Sequence, residues 1–369
     1  MLGPADAAEV AERFSPVIYQ DVADGFWGED EYRRLDLLAA VDFDGNLDAL
    51  DNVENAATTA LPGVVYWDVI ETETHLYVLY AFFHPVDWND FNGVDHENDM
   101  EHAWLVVEKH ADGSLSLAFV HTQAHGQLLA WTDGDVAGDG FDVSEGGLSL
   151  EGEHPRLFVE AHGHGPASCS HGGGLPFVGA IDCDPADDED MVVYRAGQTS
   201  AEPDVSADAP VEATYVLVSS REALWPHAAS RDLWDEFFTY APSAGDFEVN
   251  GALGYLGHDM AGDEGGGAGT APWGYLVDDS FLGGTTYGAR GDWLFDPAAL
   301  YATLYDDPCE ANAGFRNYLS NPYLDELATS ALPWDGEDRG RRCDGVEAPP
   351  PVEDTGDTGA GDTHAGEDT

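Results

Sequence analysis

Residues 74–83 (THLYVLYAFF) are apolar or aromatic at odd and even positions alike, the pattern of a strand buried on both faces. Residues 100–108 (MEHAWLVVE) form a second such run. The stretch between them carries Gly93 and several Asp and Asn, so the pair is expected to form an antiparallel hairpin with a long connection. A tight polar turn precedes it and joins it to a strand over 61–71. Asp112-Gly113 turns the chain back from Lys109 into a strand over 114–121. Further strands are expected at 14–19, after a short helix over 5–13, and at 155–162, 191–196 and 211–219. Helices are expected at 231–240, at 298–305 with Asp296 as N-cap and Pro297 at N1, and in short pieces over 315–327. The fold class this suggests is mainly all-β, an antiparallel β-sandwich with long loops and a few peripheral helices, spanning 8–334 as one domain. Residues 344–369, a run of Asp, Thr and Gly with no apolar period, are expected to be a disordered acidic tail.

Charge narrows the class of partner. The 369 residues hold 72 acids against 13 bases, a formal net charge of −59, and Lys109 is the single lysine. Such a surface repels nucleic acid and anionic lipid, and it suits a salty medium in which self-repulsion is screened. A hydrophobic content of 43% argues for a packed protein, and no window is apolar enough to span a membrane. Cys169, Cys183, Cys309 and Cys343 allow three pairings, of which 169–183 with 309–343 closes the shortest loops. Sparse, even cysteines without a CxxC fit an oxidising compartment, so an extracellular or cell-surface location is expected. Met1-Leu2-Gly3-Pro4 leads into acidic sequence without the apolar core of a secretion signal, so for an exported protein the true start is expected upstream.

The acids concentrate at the hairpin. Asp87 lies just past the first apolar run, His96 in the loop, and Asp99 and Glu101 two apart at the entry to the second run, where period two points both carboxylates to one face. No Lys or Arg occurs from Leu35 through Glu108, so compensation must come from far along the chain, from protonation or from a bound ion. Three carboxylates and one imidazole favour calcium or magnesium, with manganese next, over zinc. Zinc-protease spacings fail: Met100 stands where HExxH needs its second His, and Glu101 lies five residues beyond His96 where HxxEH needs its Glu three beyond. Residues 41–52 look like a calcium loop, but Gly45 is fourth from Asp42 instead of sixth, which favours a structural turn.

YAFFHPVD followed by HENDMEH resembles the necrosis-inducing protein family, the ethylene-inducing-peptide-like cytolysins, whose aromatic strand ends in Pro-x-Asp before a Gly-His-Arg-His-Asp-Trp-Glu loop. Glu101-His102 is closer to the related vacuolar-sorting-factor-like proteins, which share a His-x-x-Asp-Trp-Glu-His pattern. The resemblance implies a β-sandwich holding a calcium or magnesium ion through Asp87, His96, Asp99 and Glu101, and recognition of a glycan or glycolipid head group through that ion. Asp95, Asn98 and Met100 replace the family's Gly, second His and Trp, so host toxicity is not implied.

His125, His162 and His164 stand at His-Gly segments similar to those of the same relatives, and they are the candidate acid–base residues of an alternative reading, a metal-dependent hydrolase. A third reading is an ion that only pins the hairpin. His171-Gly172-Gly173-Gly174 resembles an esterase oxyanion loop, but no Gly-x-Ser-x-Gly accompanies it, and it is assigned to the cysteine loop. The Gly-rich stretch 251–271, with His258, Asp259, Asp263 and Glu264, is expected to be a solvated loop, with a second ion site or a lid as alternatives.

Overall fold

The computed structural model describes residues 4–22, 33–47, 52–87, 96–124, 127–132, 146–170, 181, 183–186, 190–206, 209–228, 230, 240–241, 246–247, 297–298 and 317–323. Helix α1 (Pro4–Arg13) has Asp6 in its first turn and Arg13 in its last, both suited to the helix dipole, and buries Val10 and Ala11. Pro16 disfavours helix at Ser15, and the chain passes into strand β1 (Val17–Asp21). After helix α2 (Asn52–Ala56) come β2 (Gly63–Thr72), β3 (His75–Asp87), β4 (His96–Lys109), β5 (Leu115–Ala124) and β6 (Gln127–Thr132). From β2 on, each of these strands pairs antiparallel with the next; β2 to β5 follow the order the hydrophobic pattern predicts, and β6 is a further strand outside that expectation. Then follow β7 (Leu150–Glu151), β8 (His154–Val159), β9 (Pro166–Ser168), β10 (Met191–Ala196), β11 (Val211–Ser219) and helix α3 (Ser220–Ala223). The short strands β12 (Tyr240–Ala241) and β13 (Asp246–Phe247) pair with each other. β14 (Tyr318–Ser320) adds to the end of β2.

The expected mainly β class holds, but the expected antiparallel pairing is corrected: the large sheet is mixed, with twelve strands ordered β6-β5-β4-β3-β2-β11-β10-β1-β8-β7, β14 on β2 and β9 on β8. Three pairings are parallel: β1 with β8, β10 with β11, and β11 with β2. Parallel neighbours cannot be joined by a tight hairpin turn, so a reading built from successive hairpins misses them: β1–β8 and β11–β2 join distant parts of the chain, and β10 reaches β11 through the connection 197–210. The sheet curls: β9, at the β8 end, packs on β4 and β5 although five strands separate β4 from β8 along the sheet. Between the two limbs lies a core that includes Phe14, Tyr80, Phe82, Trp104, Trp131, Tyr194 and Tyr215, all fully buried. Buried hydroxyls need partners, and Tyr80 donates to the carbonyl of Ala11 at 2.7 Å while Tyr215 donates to that of Pro16 at 2.7 Å.

Smaller differences concern element ends. β4 begins at His96, so Asp87 and His96 belong to the strands and face each other in register instead of lying in the connection. β8 stops at Val159, three residues short of His162. Residues 318–320, expected to be helical, form a strand because backbone pairing to Glu71 and Thr72 outweighs local preference. The segment is locked from the side: Tyr323 donates its hydroxyl to Asp68, its ring meets Trp225 edge-on at 4.8 Å, and Arg221 lies over both rings. Burial pushes the Asp68 carboxyl up to about 6, against the opposing pull of that hydroxyl and the Val69 amide.

Cys169 and Cys183 are bonded, as expected. Asp44 and Gly45 form a turn in which Asp44 accepts from the Asn46 amide and from Asn55, in line with the structural-turn reading of that loop. The expected Cys309–Cys343 pair, residues 231–239 of the helix expected over 231–240 (Tyr240 is in β12 instead), most of the helix over 298–305, the loop over 251–271, His125, the His171-Gly172-Gly173-Gly174 stretch and the tail lie outside the described residues. Among the described residues, no helix is long and apolar enough to cross a membrane.

Candidate metal centre

The β3–β4 register decides which sequence-predicted residues share a place. Asp87 pairs with His96 at the open end of the hairpin, His84 with Asp99 three residues further in, and Phe82 with Glu101 two residues beyond that. About 17 Å of extended strand separates the Asp87–His96 pair from the Phe82–Glu101 pair. Directly paired residues share a face, so His84, Asp99 and Glu101 stand on one side of the hairpin. His84, buried inside the run YAFFHPVD, was not singled out from the sequence.

The curl of the sheet brings the opposite limb onto this face. Between β8 and β9 the chain makes a turn closed by the Gly165 amide, which donates to Glu160 Oε1 at 3.3 Å. His162 and His164 in that turn hold φ of 68° and 50°, and Asn98, next to Asp99, holds 62°. These are all the non-glycine residues of positive φ among the described residues, and all lie at this site. Left-handed backbone at such side chains costs on the order of 1 kcal/mol each and tends to gather where a fixed side-chain arrangement is required. Asn98 is held there by Asn52, whose amide donates to it, and the neighbouring Glu97 accepts from the Val53 amide at 2.8 Å.

The conformation aims His164 inward. Its Nδ1 lies 2.9 Å from Asp99 Oδ2, its Nε2 lies 3.2 Å from Asp36 Oδ1, and its ring stacks on that of His84 at 3.8 Å and 5°. Asp36 reaches the site because the Ala39 amide donates to the carbonyl of Phe83 and lays its segment beside β3. Asp36 Oδ1 also accepts from the His162 amide at 2.8 Å. His84, His164, Asp36 and Asp99 are all buried. Burial alone disfavours an imidazolium, but hydrogen bonds to two carboxylates outweigh it and carry His164 up to about 10. Burial, with the nearby His164 charge adding to it, holds His84 well below the usual histidine range. The missing positive charge of the 35–108 stretch thus comes in part from far along the chain, as a histidine cation between two aspartates.

The donor atoms of His84, Asp99 and His164 all lie within 4.8 Å of one another, close enough to hold an ion. Two polar atoms of this network are buried with no hydrogen-bond partner, His84 Nδ1 and Asp36 Oδ2, and a bound cation would satisfy such atoms. The donor set fits a divalent metal. Of the predicted ligands, Asp99 is in this group, Glu101 stands two residues along the same face, and Asp87 and His96 form the last pair of the hairpin. Of the predicted acid–base residues, His164 is fully buried with both nitrogens bonded, and His162 is partly exposed beside Asp36.

No family model and no curated protein matches the chain. Among solved structures, similar chains include the non-toxic HaNLP3 protein, at 14% identity and TM-score 0.23, over 33% of this chain and 49% of that one. A second is the necrosis and ethylene inducing protein 2 from the causal agent of cocoa's witches' broom disease, at 22% identity and TM-score 0.22, over 32% and 50%. A third, described as a toxin fold for microbial attack and plant defense, shows 16% identity and TM-score 0.28 over 50% and 74%. The chain spans about half the length of the first two, and the overlap is partial in all three.

Proposed function

We propose that this protein binds a divalent cation at the Asp99 end of the β3–β4 hairpin and, outside the cell, uses the ion-ordered end of that hairpin to recognise a polar glycan or glycolipid head group. The observation that carries the reading is the buried cluster in which His84 and Asp99 bring ligand atoms within 4.8 Å of one another, with His164 beside them. Asp87, His96, Asp99 and Glu101 are the ligand set that the sequence resemblance implies. Asp99 is common to that set and to the cluster. In this reading Asp99 holds the ion, Glu101 flanks it on the core side, and Asp87 and His96 flank it at the open end where a head group would approach. A cation there gives a very acidic surface a contact for sugar hydroxyls or carboxylates. The Cys169–Cys183 bond agrees with an oxidising compartment.

Calorimetry on the full chain with calcium, magnesium, manganese and zinc, repeated on Asp99→Asn, tests the binding. Glycan-array binding with and without EDTA tests the recognition. The reading expects saturable uptake of at least one dication, lost in Asp99→Asn, and EDTA-sensitive glycan binding. No dication uptake, or uptake indifferent to Asp99, overturns it. Metal-dependent turnover of ester, phosphoester or glycoside substrates would replace recognition with hydrolysis.

A further inference from the structure

The chemistry of the ion is written in the surroundings of Gln20. This residue is fully buried in β1, and its side-chain nitrogen lies 3.1 Å from the Asp21 carbonyl oxygen and 3.3 Å from that of Glu160. Carbonyl oxygens only accept, so both contacts require the NH2 group on that side and fix the orientation of the amide. Gln20 Oε1 therefore faces His84 Nε2, at 3.1 Å, and it too can only accept. The proton of the His84 ring is thus held on Nε2. Nδ1 is left as a bare lone pair, buried, with no hydrogen-bond partner. This is how proteins prepare a ligating histidine: an outer acceptor on one nitrogen fixes the tautomer and turns the other nitrogen to the metal.

His164 has a different part. As an imidazolium it donates from both nitrogens to carboxylates, so it has no lone pair to offer an ion. It is a positioning residue that turns Asp99 toward the site.

We infer that His84 Nδ1 is a ligand of the ion, prepared by Gln20, and that with Asp99 it makes a mixed nitrogen–oxygen site that takes borderline dications such as zinc, cobalt or nickel in preference to calcium or magnesium. Imidazole nitrogen suits those ions, whereas calcium and magnesium seek oxygen. This inference rests on the reading that a dication binds at Asp99.

The test uses the metal-stripped full chain, titrated with zinc and with calcium by calorimetry, together with long-range proton–nitrogen spectra of protein carrying nitrogen-15 histidine. Zinc is expected to bind more tightly than calcium. The His84 Nδ1 signal should move from the bare-nitrogen position to the metal-bound one while Nε2 stays protonated. Gln20→Leu should weaken zinc binding about 10–100-fold. The spectra need only the unaltered chain, so a variant that fails to fold does not spoil the test. Calcium preferred over zinc, or zinc bound with His84 Nδ1 unmoved, overturns the inference. If calcium uptake then still depends on Asp99, the proposed function survives. No dication bound at all overturns both.

Discussion

His164 Nδ1 lies 2.9 Å from Asp99 Oδ2 across 65 residues of chain, and that contact ties one limb of the curled sheet to the other. It places a histidine cation between two buried aspartates, Asp99 and Asp36, in a stretch that otherwise has no base of its own. Removing the cation leaves buried carboxylates without compensation. His164→Leu is therefore expected to cost about 3–5 kcal/mol of folding free energy, the cost of breaking a buried ion pair from one side. Urea unfolding measures it. The double variant His164→Leu with Asp99→Asn should lose less than the two single losses combined, because the second change removes a charge the first has stranded.

Acid should destabilise the fold through its buried neutral histidines. Burial holds His121 down at about 3 and His75, which also feels Lys109, at about 4. A depressed folded pKa contributes stability that is present above the unfolded value of about 6.5 and is lost as pH falls through the folded one. The urea midpoint should drop from near pH 6.5 down toward pH 3. In His121→Phe, which cannot take up that proton, the fall should be shallower.

Asp68 works in the opposite direction. Its folded pKa, about 6, is raised above its ordinary value by burial, so its contribution is present below about 4 and is lost as pH rises through 6. The Tyr323 hydroxyl lowers that pKa by donating to the carboxylate. Tyr323→Phe should push Asp68 higher, visible in a carbon-detected pH titration. It should also cost roughly 1–3 kcal/mol by leaving a buried acceptor with one donor fewer.

The Cys169–Cys183 bond closes a short loop, with a sequence separation of 14. Reduction should lower stability by about 3 kcal/mol, the entropy expected for a loop of that size, read from urea midpoints with and without reductant.

How much of this was legible in the chain differs by element. The β2 to β5 meander is readable because each strand is a dense apolar run and each neighbour follows in sequence, whereas β6 is not among the expected strands. The parallel pairs are not readable: nothing local in Val17–Asp21 announces His154–Val159 as its neighbour. Asp99 and His164 were singled out by their motifs, but their contact depends on the curl of the whole sheet. His84 carries no such signal, because a lone histidine among Tyr, Phe and Val reads as core. The signal that could have found it was register, since it sits three residues before Asp87 and opposite Asp99 once Asp87 and His96 are taken as a pair. Asp36 and Gln20 carry no motif at all, and they matter only through what the fold brings near them.

A dication bound against Asp99 would be located directly by diffraction. Crystals of the full chain grown with zinc, measured on both sides of the zinc absorption edge, should show an anomalous peak within bonding distance of Asp99, with His84 Nδ1 as its neighbour. Anomalous peaks confined to other parts of the surface, with the Asp99 site filled by water or by side chains alone, would contradict the account.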